Sequence, residues 1–294
     1  MVKIIRTRDD RSRTLSWSEP PRRVVSLVPS DTYSLTALGA VDRLVGRTEY
    51  CVEPAAALRD VPTVGGTKDV DVARVVSLSP DVVFANQEEN TRRDIERIQN
   101  EGLSVFVAFP KTVAQGVAHL ARMALVLGLE REAREVIAAA YHAVRRADDA
   151  RGSQRPKRVF VPIWMNPLMT VHADTFISDL VDLCGGQNVF ADRARRYPLA
   201  ADIAGAAALP PERVGDRDTR YPRVTLEEVE ARQPEVILLP DEPHPFTDQD
   251  AEVFRALDVP AARSGRIVKC DGKDLMWPGA RSVQTLDRIR ALIG

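Results

Sequence analysis

The sequence VVSLSPDVVF at residues 75–84 and the sequence VEARQPEVIL at residues 229–238 share one pattern. In each, a helical segment ends before a proline, Pro80 or Pro234, and a short β-rich run follows. Proline disfavours helical backbone in the residue before it, so a helix ends there and a strand can begin. Such connections are common in α/β proteins, so the repetition leaves open two similar α/β units or one large α/β domain.

The residues around these two stretches favour the two-unit interpretation. Apolar β-rich runs at 23–28, 81–85 and 104–108 alternate with helical segments, which predicts βα units and a mostly parallel sheet. Residues 112–150 then show only helical spacing, divided by Gly128, before strands return at 158–163, 236–239 and 266–269. The predicted fold is α/β, with two Rossmann-like lobes joined by one long backbone helix. The predicted boundaries are an N-terminal lobe at 1–128, a connecting helix at 129–152 and a C-terminal lobe at 153–294.

Composition excludes several classes of protein. The 294 residues carry a net charge of −1, which gives no general attraction to nucleic acid or to an anionic membrane. No apolar run approaches the length of a membrane span. Three widely spaced cysteines argue against a disulfide framework. The charged first ten residues lack the apolar region of a signal peptide, so the sequence predicts a cytoplasmic protein, or a periplasmic or cell-surface one if the true N-terminus lies upstream.

Four segments together carry a family likeness over nearly the whole chain from Pro21. They are RRVVSLVPSDT at 22–32, GTKDVD at 66–71 with LSPDVV at 78–83, NPLMT at 166–170 with CGGQNVF at 184–190, and YPRVTLEE at 221–228 with PEVI at 234–237. In order and spacing the chain resembles the helical-backbone, or class III, substrate-binding proteins, which include the vitamin B12 and iron–siderophore receptors of ABC importers. It is most similar to the cobalamin-binding branch.

This resemblance implies non-catalytic binding of a corrinoid or another metal chelate in a cleft between two lobes. No cofactor is required; cobalamin or a similar chelate is the ligand itself. A planar macrocycle suits aromatic and apolar walls. The residues at matching or neighbouring positions are the expected ligand contacts: Ser30, Asp31, Thr32, Tyr50, Thr67, Trp164, Asn166, Tyr221 and Trp277.

The resemblance also implies a partner. Members coupled to a transporter dock one glutamate from each lobe onto arginines of an ABC permease. Glu227 stands at the second-lobe position, whereas Ala73 occupies the first-lobe position, so half of the docking charge is absent. Residues 199–220 look like an insertion of unknown purpose.

Acidic and histidine side chains give further candidates. Glu88 and Glu89 follow a buried strand, where ligand contacts of α/β sheets accumulate, although Asn90 could equally cap a helix there. His172 and His244 follow predicted strands of the second lobe and could ligate a metal, or could serve only the loop structure.

No enzyme motif of the nucleophile-elbow, zinc-protease, phosphate-loop or dinucleotide type occurs, so the prediction is that the protein is not an enzyme. Two alternatives stay open: a chelatase-like metal-handling enzyme that uses the same cleft, and an intracellular sensor or interaction protein that has lost transport coupling.

Overall fold

The computed structural model describes residues 4–152, 155–203 and 205–294, and the chain divides into two compact units. The first unit contains the chain up to His142 together with Trp277–Val283, and the second contains Ala143–Met276 and Gln284–Gly294. Each unit is described by itself below.

The first unit is built on a four-stranded parallel sheet with helices between its strands. Its strands and helices, in chain order, are β1 Ile5–Arg8, β2 Thr14–Trp17, β3 Val24–Ser26, α1 Pro29–Ala37, β4 Leu44–Arg47, α2 Ala55–Leu58, α3 Val72–Ser77, β5 Val82–Asn86, α4 Arg92–Asn100, β6 Val105–Ala108 and α5 Val113–Leu127. The sheet order is β4-β3-β5-β6, while β1 and β2 form a separate antiparallel hairpin.

Helix α6, Arg134–Ala150, contains the point at which the chain passes from the first unit to the second. The elements that follow are β7 Lys157–Phe160, β8 Trp164–Met165, β9 Leu168–Met169, α7 Phe176–Leu183, β10 Gly186–Asn188, α8 Ala200–Ile203, α9 Pro211–Val214, α10 Leu226–Arg232, β11 Val236–Pro240, α11 Asp248–Arg255, α12 Pro260–Arg263, β12 Ile267–Cys270, α13 Gly272–Met276 and α14 Ala280–Ile293. The second parallel sheet has the order β10-β7-β11-β12, and β8 and β9 form a hairpin.

The two sheets have the same topology. In each, the first strand is central, the second lies on one side of it, the third lies on the other side, and the fourth is the edge beyond the third. The helix–proline–strand pattern occupies the same place in both: Ser79 (φ 46°) and Gln233 (φ 44°) turn the chain in the left-handed region before Pro80 and Pro234. The prediction of an α/β fold with two parallel sheets is therefore confirmed.

Apolar residues of strands and helices fill both units. In the first, Phe84 and Phe106 pack with ring centres 5.7 Å apart. In the second, Phe160 contacts Phe190 at 5.3 Å and Phe254 at 6.0 Å. All five rings are completely buried, so each sheet has its own aromatic core.

The segment Trp277–Val283 closes the first unit from the far end of the sequence. The Ala280 N–H donates to the Ser34 hydroxyl oxygen (3.2 Å), and Arg281 forms an ion pair with Glu53 (2.9 Å). A Cβ on Gly116 would lie 2.9 Å from the Gly279 backbone nitrogen, so the glycine allows the two backbones to approach closely.

Helices α1 and α4 begin in different ways. Helix α1 begins at Pro29 after Val28, which makes no side-chain cap. Proline fits the first helical position because its missing N–H would have no partner there. Helix α4 is capped by Thr91, whose hydroxyl accepts from the Asp94 N–H, and not by Asn90, for which a cap was one of the two alternatives.

Candidate functional site: the carboxyl edges of the two sheets

At the carboxyl edge of the first sheet, the expected ligand residues of the β3–α1 segment are buried. Ser30, Asp31 and Thr32 are at most 3% exposed. The Thr32 hydroxyl donates to the Ser26 hydroxyl oxygen (2.8 Å), which ties the first turn of α1 to the end of β3. In this conformation the three residues offer almost no surface to a ligand, so their ligand role remains a prediction.

Asp31 has a partner that sequence analysis does not reveal. Nε2 of His119, on α5, lies 2.9 Å from its Oδ1, and His119 also packs against Phe84 and Phe106 with ring centres 6.4 and 5.5 Å away. The second carboxylate oxygen of Asp31 and Nδ1 of His119 are buried and have no hydrogen-bond partner among the described residues. This polar pair therefore packs directly against two buried aromatic rings of the first unit.

The segment between α2 and α3 and the loop after β5 meet through Asn90. Its amide donates to the backbone oxygens of Leu27 (3.1 Å) and Thr67 (3.0 Å), and its side-chain oxygen accepts from the Asn86 N–H (2.9 Å). Three expected contact residues are thereby brought to one edge, because Thr67 and the half-buried Glu88 and Glu89 belong to these loops. Lys68 joins them further by donating to the Glu88 backbone oxygen.

Tyr50 is the exposed aromatic residue of this edge. It follows β4, and 57% of its surface is exposed. Gly66 lies against it, because a Cβ there would be 3.2 Å from the Tyr50 ring and 3.2 Å from a Glu49 carboxylate oxygen. Trp277, by contrast, is buried in the first unit and meets Tyr33 edge to face, with ring centres 6.2 Å apart.

The second sheet also presents an aromatic residue beyond its carboxyl edge. Trp164 opens the β8–β9 hairpin after β7 and is 42% exposed. Its indole N–H donates to the backbone oxygen of the exposed Asn166 (3.1 Å), and His244, which follows β11, packs against its ring at 5.5 Å. Asn166, Trp164 and His244 are thus brought together, as their positions after strands suggest.

His172 and Tyr221 lie on neighbouring segments of the same edge. The His172 N–H donates to the Arg220 backbone oxygen (2.8 Å), and the Arg220 guanidinium lies over the Tyr221 ring at 5.3 Å. His172 Nδ1 accepts from the Asp174 N–H (3.1 Å), and His244 Nε2 lies 3.6 Å from Asp250 Oδ2. The described residues contain no group of three or more histidine, cysteine, aspartate or glutamate side chains placed to hold a metal.

The cysteines lack the features of reactive thiols. Burial raises the pKa of Cys184 and of Cys270 to about 12, and burial also raises the pKa of Cys51. These thiols are therefore protonated at neutral pH and poor nucleophiles.

Glu227 and Ala73 occupy equivalent positions. Each is the second residue of the helix that precedes a proline–strand connection, α10 for Glu227 and α3 for Ala73. Glu227 is fully exposed, and hydrogen bonds from Thr225 and from its own backbone hold the pKa of its carboxyl below its usual range. The second unit therefore presents an ionised acid at a position where the first presents a methyl group.

Sequence analysis missed the buried charges that hold residues 192–223 to the second unit. Arg193 donates to Asp202 (2.9 Å) and to Glu228 (3.1 Å), and both Arg193 and Asp202 are buried. A cavity of about 380 Å³ lies beside them, lined in part by Arg196, Thr225 and Glu228. The partners are up to 35 residues apart in sequence, so no local pattern indicates them.

The sequence profile of the periplasmic binding protein family matches residues 24–273. The chain belongs to this family. Curated relatives of this periplasmic binding protein include the vitamin B12-binding proteins of Yersinia pestis (strain Pestoides F) and Yersinia pseudotuberculosis (serotype O:1b). Each is 28% identical over 222 residues, which cover 76% of this chain and 70% of the relative.

Solved structures show the same fold. The periplasmic vitamin B12 binding protein BtuF of Vibrio cholerae superposes with a TM-score of 0.72 at 20% identity, covering 93% of this chain and 97% of that one. The periplasmic heme-binding protein RhuT from Roseiflexus sp. RS-1 gives 0.73 at 20% identity, with 92% and 97% covered.

The family recognised from the sequence is thus confirmed, including its vitamin B12-binding relatives. The expected cytoplasmic location of this periplasmic binding protein gains no support, because the family and the solved neighbours are described as periplasmic. Among the described residues, no helix combines the length and the apolar character needed to cross a membrane.

Proposed function

We propose that the chain is the substrate-binding protein of an ABC importer and binds a corrinoid, or a related planar metal chelate, without chemically changing it. One observation carries the proposal: each sheet presents an exposed aromatic side chain beyond its carboxyl edge, Tyr50 in the first unit and Trp164 in the second. Ligands of open α/β sheets bind at this edge, and large aromatic rings exposed to water are suited to cover a planar macrocycle.

Polar groups beside the two rings supply the contacts that a substituted macrocycle needs. Glu88, Glu89 and Thr67 belong to the same edge of the first unit as Tyr50, Asn166 and His244 contact Trp164 in the second unit, and His172 follows the Trp164 hairpin in the chain. A histidine at this edge is also suited to an axial position on the metal of the chelate. The relatives named for vitamin B12 and heme support this ligand class.

Binding without catalysis is part of the proposal, and the relatives support it because they are named as binding proteins. For the importer role, Glu227 is the docking acid of the second unit, and Ala73 predicts weaker docking through the first. Because the chain belongs to a family described as periplasmic, we propose that it acts outside the cytoplasm.

The test is to titrate the protein with cyanocobalamin, with hemin and with ferric chelates. Binding is measured by tryptophan fluorescence and by the change in melting temperature. At a ligand concentration about 100 times Kd, linkage adds about 2.7 kcal/mol to stability, which raises the melting temperature by roughly 5–10 °C. Trp164→Ala and Tyr50→Ala should each weaken binding about tenfold, because each removes one stacked ring.

Tyr141→Ala is the matched control, since Tyr141 is 49% exposed but belongs to helix α6 and to none of the loops that follow the strands. This variant should bind like the unaltered protein. If neither the fluorescence nor the melting temperature changes with a corrinoid, with hemin or with ferric chelates, the proposal is wrong.

A further inference from the structure

The β1–β2 hairpin lies ahead of the part of the chain that the family profile matches. The profile begins at residue 24, whereas the hairpin is formed by Ile5–Arg8 and Thr14–Trp17. Its strands pair from Ile5 opposite Trp17 to Arg8 opposite Thr14, so successive side chains alternate between two faces. The likeness to the family therefore assigns no role to either face.

The two faces of the hairpin have opposite character. Ile5 and Leu15 are each only 8% exposed, and strand β1 contacts helix α5, so their face is the inner one. The opposite face, which we call the outer face, begins one residue before β1 and is exposed. Its side chains are Ile4, Arg6, Arg8, Thr14 and Ser16.

The arginines of the outer face are not neutralised by other parts of the chain. Among the described residues, no hydrogen bond, ion pair or ring contact involves the side chains of Arg6 and Arg8, and the same holds for the exposed Arg13 beside them. A guanidinium group stays protonated at all ordinary pH values. Three cations of the hairpin therefore face water.

The two acids of the hairpin are held by groups other than these guanidinium groups. Asp9 is buried and accepts from the backbone N–H groups of Arg11 (3.0 Å) and Arg13 (2.8 Å). Asp10 forms an ion pair with Arg122 of α5 (2.6 Å). The acids thus fix the turn of the hairpin and its contact with α5, while the arginines remain outside.

The row of arginines begins with an exposed apolar side chain. Ile4 is 65% exposed, which exceeds the exposure of every other large apolar side chain in the part of the chain that the structure describes. A partner recognised through charge alone gains nothing from this isoleucine. At a membrane, by contrast, an apolar side chain enters the interfacial region while neighbouring arginines stay with the phosphate groups.

We propose that the outer face of the hairpin, together with Arg13, binds the surface of a membrane that contains anionic phospholipids. The net charge of −1 does not oppose this contact, because screening by salt limits the attraction to charges near the lipid surface. The inference goes beyond the proposed function. The importer role brings the protein to a membrane, but the arrangement of charges stands without that role.

The experiment measures sedimentation of the full chain, without chelate, with vesicles of phosphatidylcholine and with vesicles that contain about 30% phosphatidylglycerol. The unaltered protein should sediment with the anionic vesicles only, and less of it as the salt concentration rises. Replacing both Arg6 and Arg8 by Gln should lower the affinity about 25-fold, because each arginine near an anionic surface contributes about fivefold.

Replacing both Arg146 and Arg196 by Gln is the matched control. Both are exposed arginines of the second unit whose side chains have no partner among the described residues. The control changes the net charge equally and should bind like the unaltered protein. Absence of binding to the anionic vesicles, or equal affinity of the hairpin variant and the control, would overturn the inference.

Ile4→Ser separates a membrane from an acidic protein as the partner. It should weaken vesicle binding several-fold and leave the salt dependence unchanged, because it removes an apolar contact and no charge. An unchanged affinity would show that charge alone is recognised and would rule out the membrane contact proposed for Ile4. Since no chelate is present, failure of vesicle binding and failure of the chelate titration are independent results.

Discussion

Nε2 of His119 lies 2.9 Å from Oδ1 of Asp31, and both side chains are buried although 88 residues separate them in sequence. The pair ties helix α5 to the first turn of α1. It thereby fixes the β3–α1 segment that the family likeness associates with ligand binding.

Replacing His119 by Ala should lower the free energy of unfolding by roughly 3 kcal/mol, because the Asp31 carboxylate would be left buried without its partner. Urea denaturation measures the change. His142→Ala is the control, since His142 is exposed on α6, and it should leave stability almost unchanged. Equal stability of the two variants would show that the buried pair contributes nothing.

Arg193→Met should destabilise the second unit by roughly 3–5 kcal/mol, because Asp202 and Glu228 lose the cation that they share. Amide hydrogen exchange should accelerate first in residues 192–223, which Arg193 holds to α10. Arg196→Met removes an exposed arginine from the same segment and should leave exchange unchanged. Unaltered protection in Arg193→Met would contradict this role.

Acid stability should depend on Asp10. Burial would raise the pKa of its carboxyl, but hydrogen bonds from Arg122 and the Phe109 N–H and the charge of Arg122 outweigh burial and hold it below the ordinary value of 3.8. A lowered folded-state pKa adds stability above the unfolded-state pKa, and this stability is lost as the pH falls through the folded-state pKa.

Asp10→Asn should therefore melt lower than the unaltered protein at pH 7, and the difference should shrink below about pH 4. Melting curves between pH 2.5 and 7 measure it, with Asp60→Asn, an exposed position, as the control. A difference in melting temperature that stays constant over this pH range would contradict the lowered pKa of Asp10.

Gly66→Ala should weaken ligand binding more than it weakens folding. Its Cβ would lie 2.2 Å from an Asp69 carboxylate oxygen and 3.2 Å from the Tyr50 ring, so both flexible side chains must move. We expect a several-fold loss in affinity for the chelate, measured by fluorescence titration. Gly152→Ala is the control: its left-handed backbone (φ 87°) makes alanine costly for folding, but a Cβ there meets nothing within 4 Å, so this variant should lose stability without losing affinity.

Sequence analysis predicted what short-range rules determine. Pro80 and Pro234 restrict the residue before them wherever they occur, so both helix–strand connections were predicted, and α10 does end at Arg232, two residues before Pro234. The start of α1 leaves no such signal, because its N-cap, Val28, makes no side-chain bond that a sequence could indicate.

The candidate site was less predictable because exposure and long-range pairing decide it. Tyr50 and Trp164 were selected as contact residues from the family likeness, but only the structure shows that both are exposed. Asp31 was selected on the same grounds and is buried against His119. The stacking of Arg195 on Tyr197 leaves no signal in the sequence, because an arginine two residues from a tyrosine need not stack on it.

The return of Trp277–Val283 to the first unit determines the order in which the chain can be completed during synthesis. The bond from Ala280 to Ser34 and the close contact of Gly279 with Gly116 cannot form until residues 279 and 280 have left the ribosome. The first unit, although it is translated first, can therefore complete its fold only after most of the second unit has been synthesised. A gene fragment that stops at His142 encodes an incomplete first unit.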